Sequence, residues 1–240
     1  MFNFDKRFIY IFIAIMAISY FAHASENTLI QLVLTIPGVL IAMTFHEFAH
    51  AKAADILGDE TPRIQGRLNL NPLSHVDPIG FAMLIFAGFG WGRPVQINPN
   101  NFDRRMELTK AEAIVAFAGP AMNFILAIVF MIIYYALITF GSVTNQLMFY
   151  VLRIISAIVI INLGLGVFNL IPLPPLDGSK ILMHFLPYSG REWFERYQLY
   201  FYIGFIIIFI TGIAGDIISP IITGIYNGLD HIIGSLFNIG

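Results

Sequence analysis

From Ala111 to Phe140 the chain is apolar almost without a break, with Glu112 its one charged residue. As a helix that run would be about 45 Å long, more than the roughly 30 Å of hydrocarbon in a bilayer. A helix apolar on every side belongs either in a large core or in a membrane. Composition decides between them. Of 240 residues, 58% are apolar and 12% charged, with a mean hydropathy of +0.77. Soluble domains have about 45–50% and 25%. So little charge cannot cover a water-facing surface, which excludes a cytosolic globule and a disordered chain. The net charge of −2 lacks the basic surplus of a nucleic-acid binder, so no nucleic-acid partner is expected. Without cysteines, disulfides, iron–sulfur clusters and thiolate zinc sites are excluded. Any metal must be held by His, Asp or Glu.

Five further apolar runs accompany the first, at 8–22, 28–57, 147–171, 198–213 and 217–237. The second is interrupted by Pro37. The last contains Pro220 and Gly224, Gly228 and Gly234, a pattern that suits partial lodging on the surface. The expected fold class is an all-α polytopic membrane protein of about six spans. The run at 8–22 follows Lys6 and Arg7 and precedes Ala22-His23-Ala24, which resembles a secretory signal. With Met1 present it reads as a retained first span. Basic residues mark the cytoplasmic side. With the N-terminus cytoplasmic, 12 of the 13 lysines and arginines fall inside, and Arg153 alone lies near the outer end of a span. A multi-pass protein in that orientation is expected.

The stretch at 58–110 is too short for an ordinary inserted domain. Its apolar centre at 79–92 is glycine-rich and too short to span, as in a re-entrant or interfacial segment. The flanks, RLNLNPLSHVDPIG and GRPVQINPNNF, alternate like strands and are punctuated by Asn-Pro and Asp-Pro. A small β segment at the cytoplasmic interface is therefore expected.

The chemistry is concentrated in His46-Glu47-Phe48-Ala49-His50. On a helix, positions i and i+4 share a face. Two imidazoles there can chelate one zinc ion, with Glu47 between them as general base. The plain alternative is a solvated helix end beside Asp55, Asp59 and Glu60. Depth argues against it, because His46 lies 17 steps from Leu29, about 26 Å. A catalytic zinc usually has a third protein ligand. Asp177 is the candidate, since Pro172, Pro174 and Pro175 stop the preceding span and leave Asp177 near the depth of His50. The plain reading of Asp177 is a cap for a helix beginning at Ser179, with Gly178 for the turn, and capping does not exclude ligation.

H-E-x-x-H in one span, with Asn169-Leu-Ile-Pro-Leu-Pro-Pro-Leu-Asp177-Gly178 ending a later one, resembles the site-2 protease family of intramembrane zinc metalloproteases. LNPLSHVDPIG, GRPVQINPNNF and AGPAMN at 118–123 are similar to the compact bacterial and archaeal members. The resemblance covers about residues 35–185. It implies one zinc per chain on His46, His50 and Asp177, with Glu47 as base. It also implies cleavage of a transmembrane-helix substrate within or beside the bilayer of a bacterial or archaeal cell. Larger relatives carry regulatory PDZ or CBS domains, so regulation here would fall to a separate membrane protein. One domain, 1–240, is expected, with a motif-bearing core at 28–186 and accessory spans at 8–22 and 198–237.

Other residues are candidates for lesser roles. Asn169 can support the oxyanion or hydrogen-bond the broken span end. Asn123 can do the same or bridge helices. The segment holding Arg93, Val95 and Ile97 can offer a strand edge to an extended substrate or be purely structural. His75 can be a spare ligand or a hydrogen-bonded loop residue beside Asp77. Two other readings compete: a zinc or proton-coupled transporter, and a silent scaffold that binds membrane helices. The first needs a chain of acids across the membrane, which the later spans lack. The second would tolerate loss of Glu47.

Overall fold

The computed structural model describes residues 14, 25–87, 92–141 and 145–238. Residue 14 apart, the run at 8–22 lies outside the described residues, as does part of 79–92. Three long helices form the body: α1 (Glu26–Ile56), α5 (Leu108–Phe140) and α6 (Gln146–Asn169). Between α1 and α5 come short helices α2 (Thr61–Ile64), α3 (Pro72–His75) and α4 (Pro78–Ala87), and a 3-10 turn at Pro99–Asn101. After α6 follow α7 (Asp177–Phe185), α8 (Tyr188–Arg196), α9 (Gln198–Ile210) and α10 (Ile213–Leu236).

The ends of the long helices follow from local chemistry. Ser25 caps α1 by accepting the Thr28 N–H at 3.2 Å, and Asn145 caps α6 by accepting that of Met148 at 2.8 Å. Beyond α1, Gly58 turns the chain at φ +102°, a left-handed conformation that favours glycine. Pro37 and Pro120 lie inside α1 and α5 without ending them. Helices α1, α5 and α6 pack on one another, and α7 packs on α5. Small residues set the spacing: a Cβ on Gly38 would stand 3.3 Å from the Ile158 backbone, and one on Gly166 would stand 3.1 Å from the Phe124 ring. Phe117, Ile125, Val129 and Ile132 of α5 remain exposed, as a helix bathed in lipid requires.

By length and composition, α1, α5 and α6 can each cross a membrane. The expectation of six spans is corrected on the C-terminal side. Helix α9 has 13 residues, about 20 Å, which is short of the hydrocarbon thickness. It meets α10 at a bend of 79°, and the pair counts as at most one span. Gly212, at φ +80°, makes that corner. Helix α10 is amphipathic, carrying Asp216, Asn227 and Asp230 on a chain whose Ile222, Ile225 and Leu229 pack on α5 and α6. The protein is thus an all-helical integral membrane protein with three to four candidate spans among the described residues.

The expected β segment is also corrected. The described residues contain no sheet, only an isolated antiparallel bridge between Val76 and Gly92. The Asn-Pro pairs start helical turns instead of ending strands. Asn71 and Asn98 each accept a backbone N–H two residues on, with proline at the first helical position. Helix α4, with ten residues, occupies the front of the apolar centre.

Two apolar clusters bracket the middle of the bundle. Ala54, Phe102, Ala111 and Val115 close one end, while Ala127, Met131, Tyr135, Val159, Leu163 and Ile233 fill the other. The polar residues of interest lie between them.

Candidate metal centre

Helix periodicity puts His46 and His50 on the same face of α1, both buried, with Nε2 atoms 3.0 Å apart. Asp177 Oδ2 lies 3.2 Å from each. The other ring nitrogens are both engaged. His46 Nδ1–H donates to Asn123 Oδ1 at 2.7 Å, and His50 Nδ1–H donates to the Val115 carbonyl at 2.7 Å. This assignment leaves both Nε2 atoms as lone-pair donors facing a carboxylate oxygen. Three such atoms converge with no proton between them, and Asp177 Oδ2 is buried without a hydrogen bond. Such a set calls for a cation. A tetrahedral ion about 2.0–2.1 Å from each donor separates the donors by about 3.3 Å, so these residues fit zinc.

The supports are as specific as the ligands. Asn123 is fully buried, and its Nδ2 donates to the Ala42 carbonyl at 3.1 Å and to Asn162 Oδ1 at 2.9 Å. Asn162 Nδ2 in turn donates to the Ile158 carbonyl at 2.8 Å. One buried amide chain thus ties α1, α5 and α6 together and orients an imidazole. Gly119 lies against both rings: a Cβ there would meet His50 Cε1 at 2.6 Å and His46 Cε1 at 2.7 Å. Only glycine lets α5 come this close to the two imidazoles.

Asp177 arrives from a different element. The prolines after Asn169 end α6, and α7 begins at Asp177 with Leu176 as its cap residue. The reading of Asp177 as a cap for a helix beginning at Ser179 is therefore corrected. Asp177 is already in the first turn, and its carboxylate faces α1. A Cβ on Gly178 would collide with the Leu170 and Ile171 carbonyls, so glycine allows α7 to start flush against the end of α6. Burial opposes the charge on Asp177.

Glu47 is half-buried and outside the ligand set. Its Oε2 accepts the Val95 N–H at 2.9 Å, and its Oε1 lies 3.8 Å from where a Gly92 Cβ would stand. Arg93 is exposed and donates its N–H to the His75 carbonyl at 2.7 Å. Val95 is buried, and Ile97 packs against the cluster around Ala54 and Val115. Asn169 ends α6 and donates Nδ2 to the Leu165 carbonyl at 3.0 Å. His75 is buried at the end of α3 with Nε2 on the Asn69 carbonyl at 2.8 Å, apart from the ligand cluster. Asp77 does not pair with it; that carboxylate accepts the Gly80 N–H. Arg153 stacks on the Phe149 ring at 5.4 Å. Asn162 and Gly119 are the residues that sequence reasoning missed. Their signal was present: an Asn inside an otherwise apolar span, and a Gly four residues before Asn123 on the same helix face.

Comparison with known proteins agrees with this geometry. The model of Peptidase family M50 matches residues 137–211, a stretch that includes Asp177. A Bacillus subtilis protein designated a zinc metalloprotease, YwhC, is 33% identical over 207 residues, covering 83% of this chain and 90% of that one. Rip2 of Mycolicibacterium smegmatis, also designated a zinc metalloprotease, is 31% identical over 66% of this chain, which spans 60% of its length. No solved structure matches the chain. Similarity that runs through nearly all of YwhC, from α1 to beyond α7, means that the chain belongs to peptidase family M50, the site-2 protease family of zinc metalloproteases.

Proposed function

We propose that this zinc metalloprotease hydrolyses a peptide bond within or beside a membrane-spanning helix of a protein substrate. The observation that carries the reading is the convergence of His46, His50 and Asp177 inside a bundle whose outer face is apolar, with Glu47 adjacent but free of the ligand set. A zinc ion held there supplies Lewis acidity, acidifying water and polarising a peptide carbonyl. Glu47 takes the proton from the attacking water and delivers it to the leaving amine nitrogen. Asn123 keeps His46 in the ligating tautomer, while Val115 does so for His50. Asn169, at the broken end of α6, is the candidate second donor to the oxyanion.

A helical substrate must unwind before its carbonyls are accessible. The extended stretch through Arg93, Val95 and Ile97 runs beside Glu47 and suits a substrate laid against it as a strand. The whole chain, 1–240, acts as one membrane-embedded domain, its N-terminus and the water side of its site cytoplasmic, in a bacterial or archaeal cell membrane. A separate membrane protein supplies regulation. The test uses the full chain in lipid vesicles with a panel of transmembrane-helix substrates, reading fragments by mass spectrometry. Wild-type protein with zinc should cut, while Glu47→Gln should keep zinc and leave substrates intact. Cleavage by Glu47→Gln near the wild-type rate would overturn the mechanism.

A further inference from the structure

Asp59 is fully buried just past the end of α1, away from the metal ligands. Its carboxylate accepts four hydrogen bonds. Oδ1 takes the Thr61 N–H at 3.1 Å, the Thr61 hydroxyl at 2.5 Å and Asn101 Nδ2 at 2.9 Å; Oδ2 takes the Asn98 N–H at 2.7 Å. The Leu57 carbonyl accepts the Asp103 N–H at 2.8 Å, and Gly58 closes against the Asn101 carbonyl. The end of α1 therefore clasps the segment 98–103.

Only Gln96 and Ile97 separate that clasp from Val95, whose N–H reaches Glu47 Oε2 at 2.9 Å. The extended segment is a strut between two carboxylates borne by one stretch of chain: Asp59 grips one end, and the other end grips Glu47. We propose that Asp59 is a positioning residue for Glu47, acting through the Val95 amide. Glu47 is long and rotamer-rich, and without a fixed partner it would sample several orientations. Small misplacements of a reacting group cost large factors in rate. The inference rests on the reading of Glu47 as the base.

The test compares wild-type chain in lipid vesicles with Asp59→Asn, Val95→Pro and the double variant, using a helical substrate found to be cut. Asp59→Asn puts an NH2 group where donors already point, while Val95→Pro deletes the N–H that reaches Glu47. Asp59→Asn should lower kcat about ten-fold with KM and zinc content unchanged. The double variant should be no slower than Val95→Pro alone. Amide exchange at Val95 should quicken about ten-fold in Asp59→Asn. Wild-type kcat in Asp59→Asn, multiplying losses in the double variant, or unchanged exchange at Val95 would overturn the proposal, as would loss of zinc from Asp59→Asn. The exchange readout needs no cleavage. It therefore survives should Val95→Pro not fold, and it separates failure of the strut from failure of Glu47 as base.

Discussion

Asn123 Oδ1 accepts the His46 Nδ1 proton at 2.7 Å at a point where both residues are buried. That bond fixes which imidazole nitrogen is free for a metal. Both amide protons of Asn123 are already given to Ala42 and Asn162, so its oxygen has no alternative orientation. Removing such a support typically costs 10–100-fold in metal affinity. Asn123→Ala should therefore lose zinc to a chelator at roughly 10–100-fold lower concentration than wild type. Equal chelator resistance would show that His46 needs no orienting partner.

Gly119 predicts a steric effect at the same place. An added methyl group would enter the space of both imidazoles, 2.6 Å and 2.7 Å from ring carbons. Overpacking of this kind costs about 1–3 kcal/mol. Here the imidazoles would have to move, so Gly119→Ala should lower zinc content below one per chain and lower Tm. A control on the lipid-facing side, Phe117→Ala, should leave zinc content unchanged.

Much of this site was legible in the sequence, because its logic is local. The spacing of His46 and His50 needs only helical periodicity, and Asp177 was placed by prolines that had to end the preceding helix. What escaped depended on distant partners. The Asn-Pro pairs at Asn71 and Asn98 signal a turn in either case. Whether that turn closes a strand or caps a helix depends on the neighbouring backbone. The run at 198–213 is apolar enough to span, but Gly212 bends it away from α10 after 13 residues. Asp59 resembled a solvated acid at a helix end. Only the fold brings Asn98 and Asn101 onto it.

Zinc should be a structural element as well as a reagent. Three converging lone-pair atoms repel one another when no cation lies between them, so the metal stabilises the native bundle. A ligand at 1,000 times its Kd stabilises by about 4.1 kcal/mol. Chelation should lower the Tm of wild-type protein in detergent by several degrees and leave that of Asp177→Ala nearly unchanged. Equal shifts in both would mean that Asp177 does not share the ion.

Asp59 gives the fold an acid limit. Burial opposes its charge, but hydrogen bonds from Thr61, Asn98 and Asn101 outweigh it and hold the carboxyl below its ordinary value. A carboxylate depressed in the folded state stabilises above the unfolded value of about 3.9. That stability is lost as pH falls through the folded value. Asp59→Asn should therefore be less stable than wild type at pH 7, with the gap narrowing below about pH 4. A gap that stays constant with pH would assign the effect to shape alone.

The last test concerns how α10 is held. Tyr135 of α5 donates its hydroxyl to Asp230 Oδ1 of α10 at 2.7 Å. Around that bond, Ile222, Ile225 and Leu229 pack on α5 and α6, and the Phe237 ring stacks on Tyr135 at 6.0 Å. A hydrogen bond to a charged group contributes about 1.5–3 kcal/mol. Tyr135→Phe keeps the ring stack and removes only the hydroxyl, leaving the Asp230 carboxylate without that donor beside an apolar cluster. It should lower Tm by several degrees while zinc content stays at one per chain, because the bond lies outside the ligand cluster. The decisive comparison adds Asp230→Asn. If the two residues act as a pair, the double variant should be less destabilised than the sum of the single ones. Additive losses would mean that α10 is held by its apolar face alone.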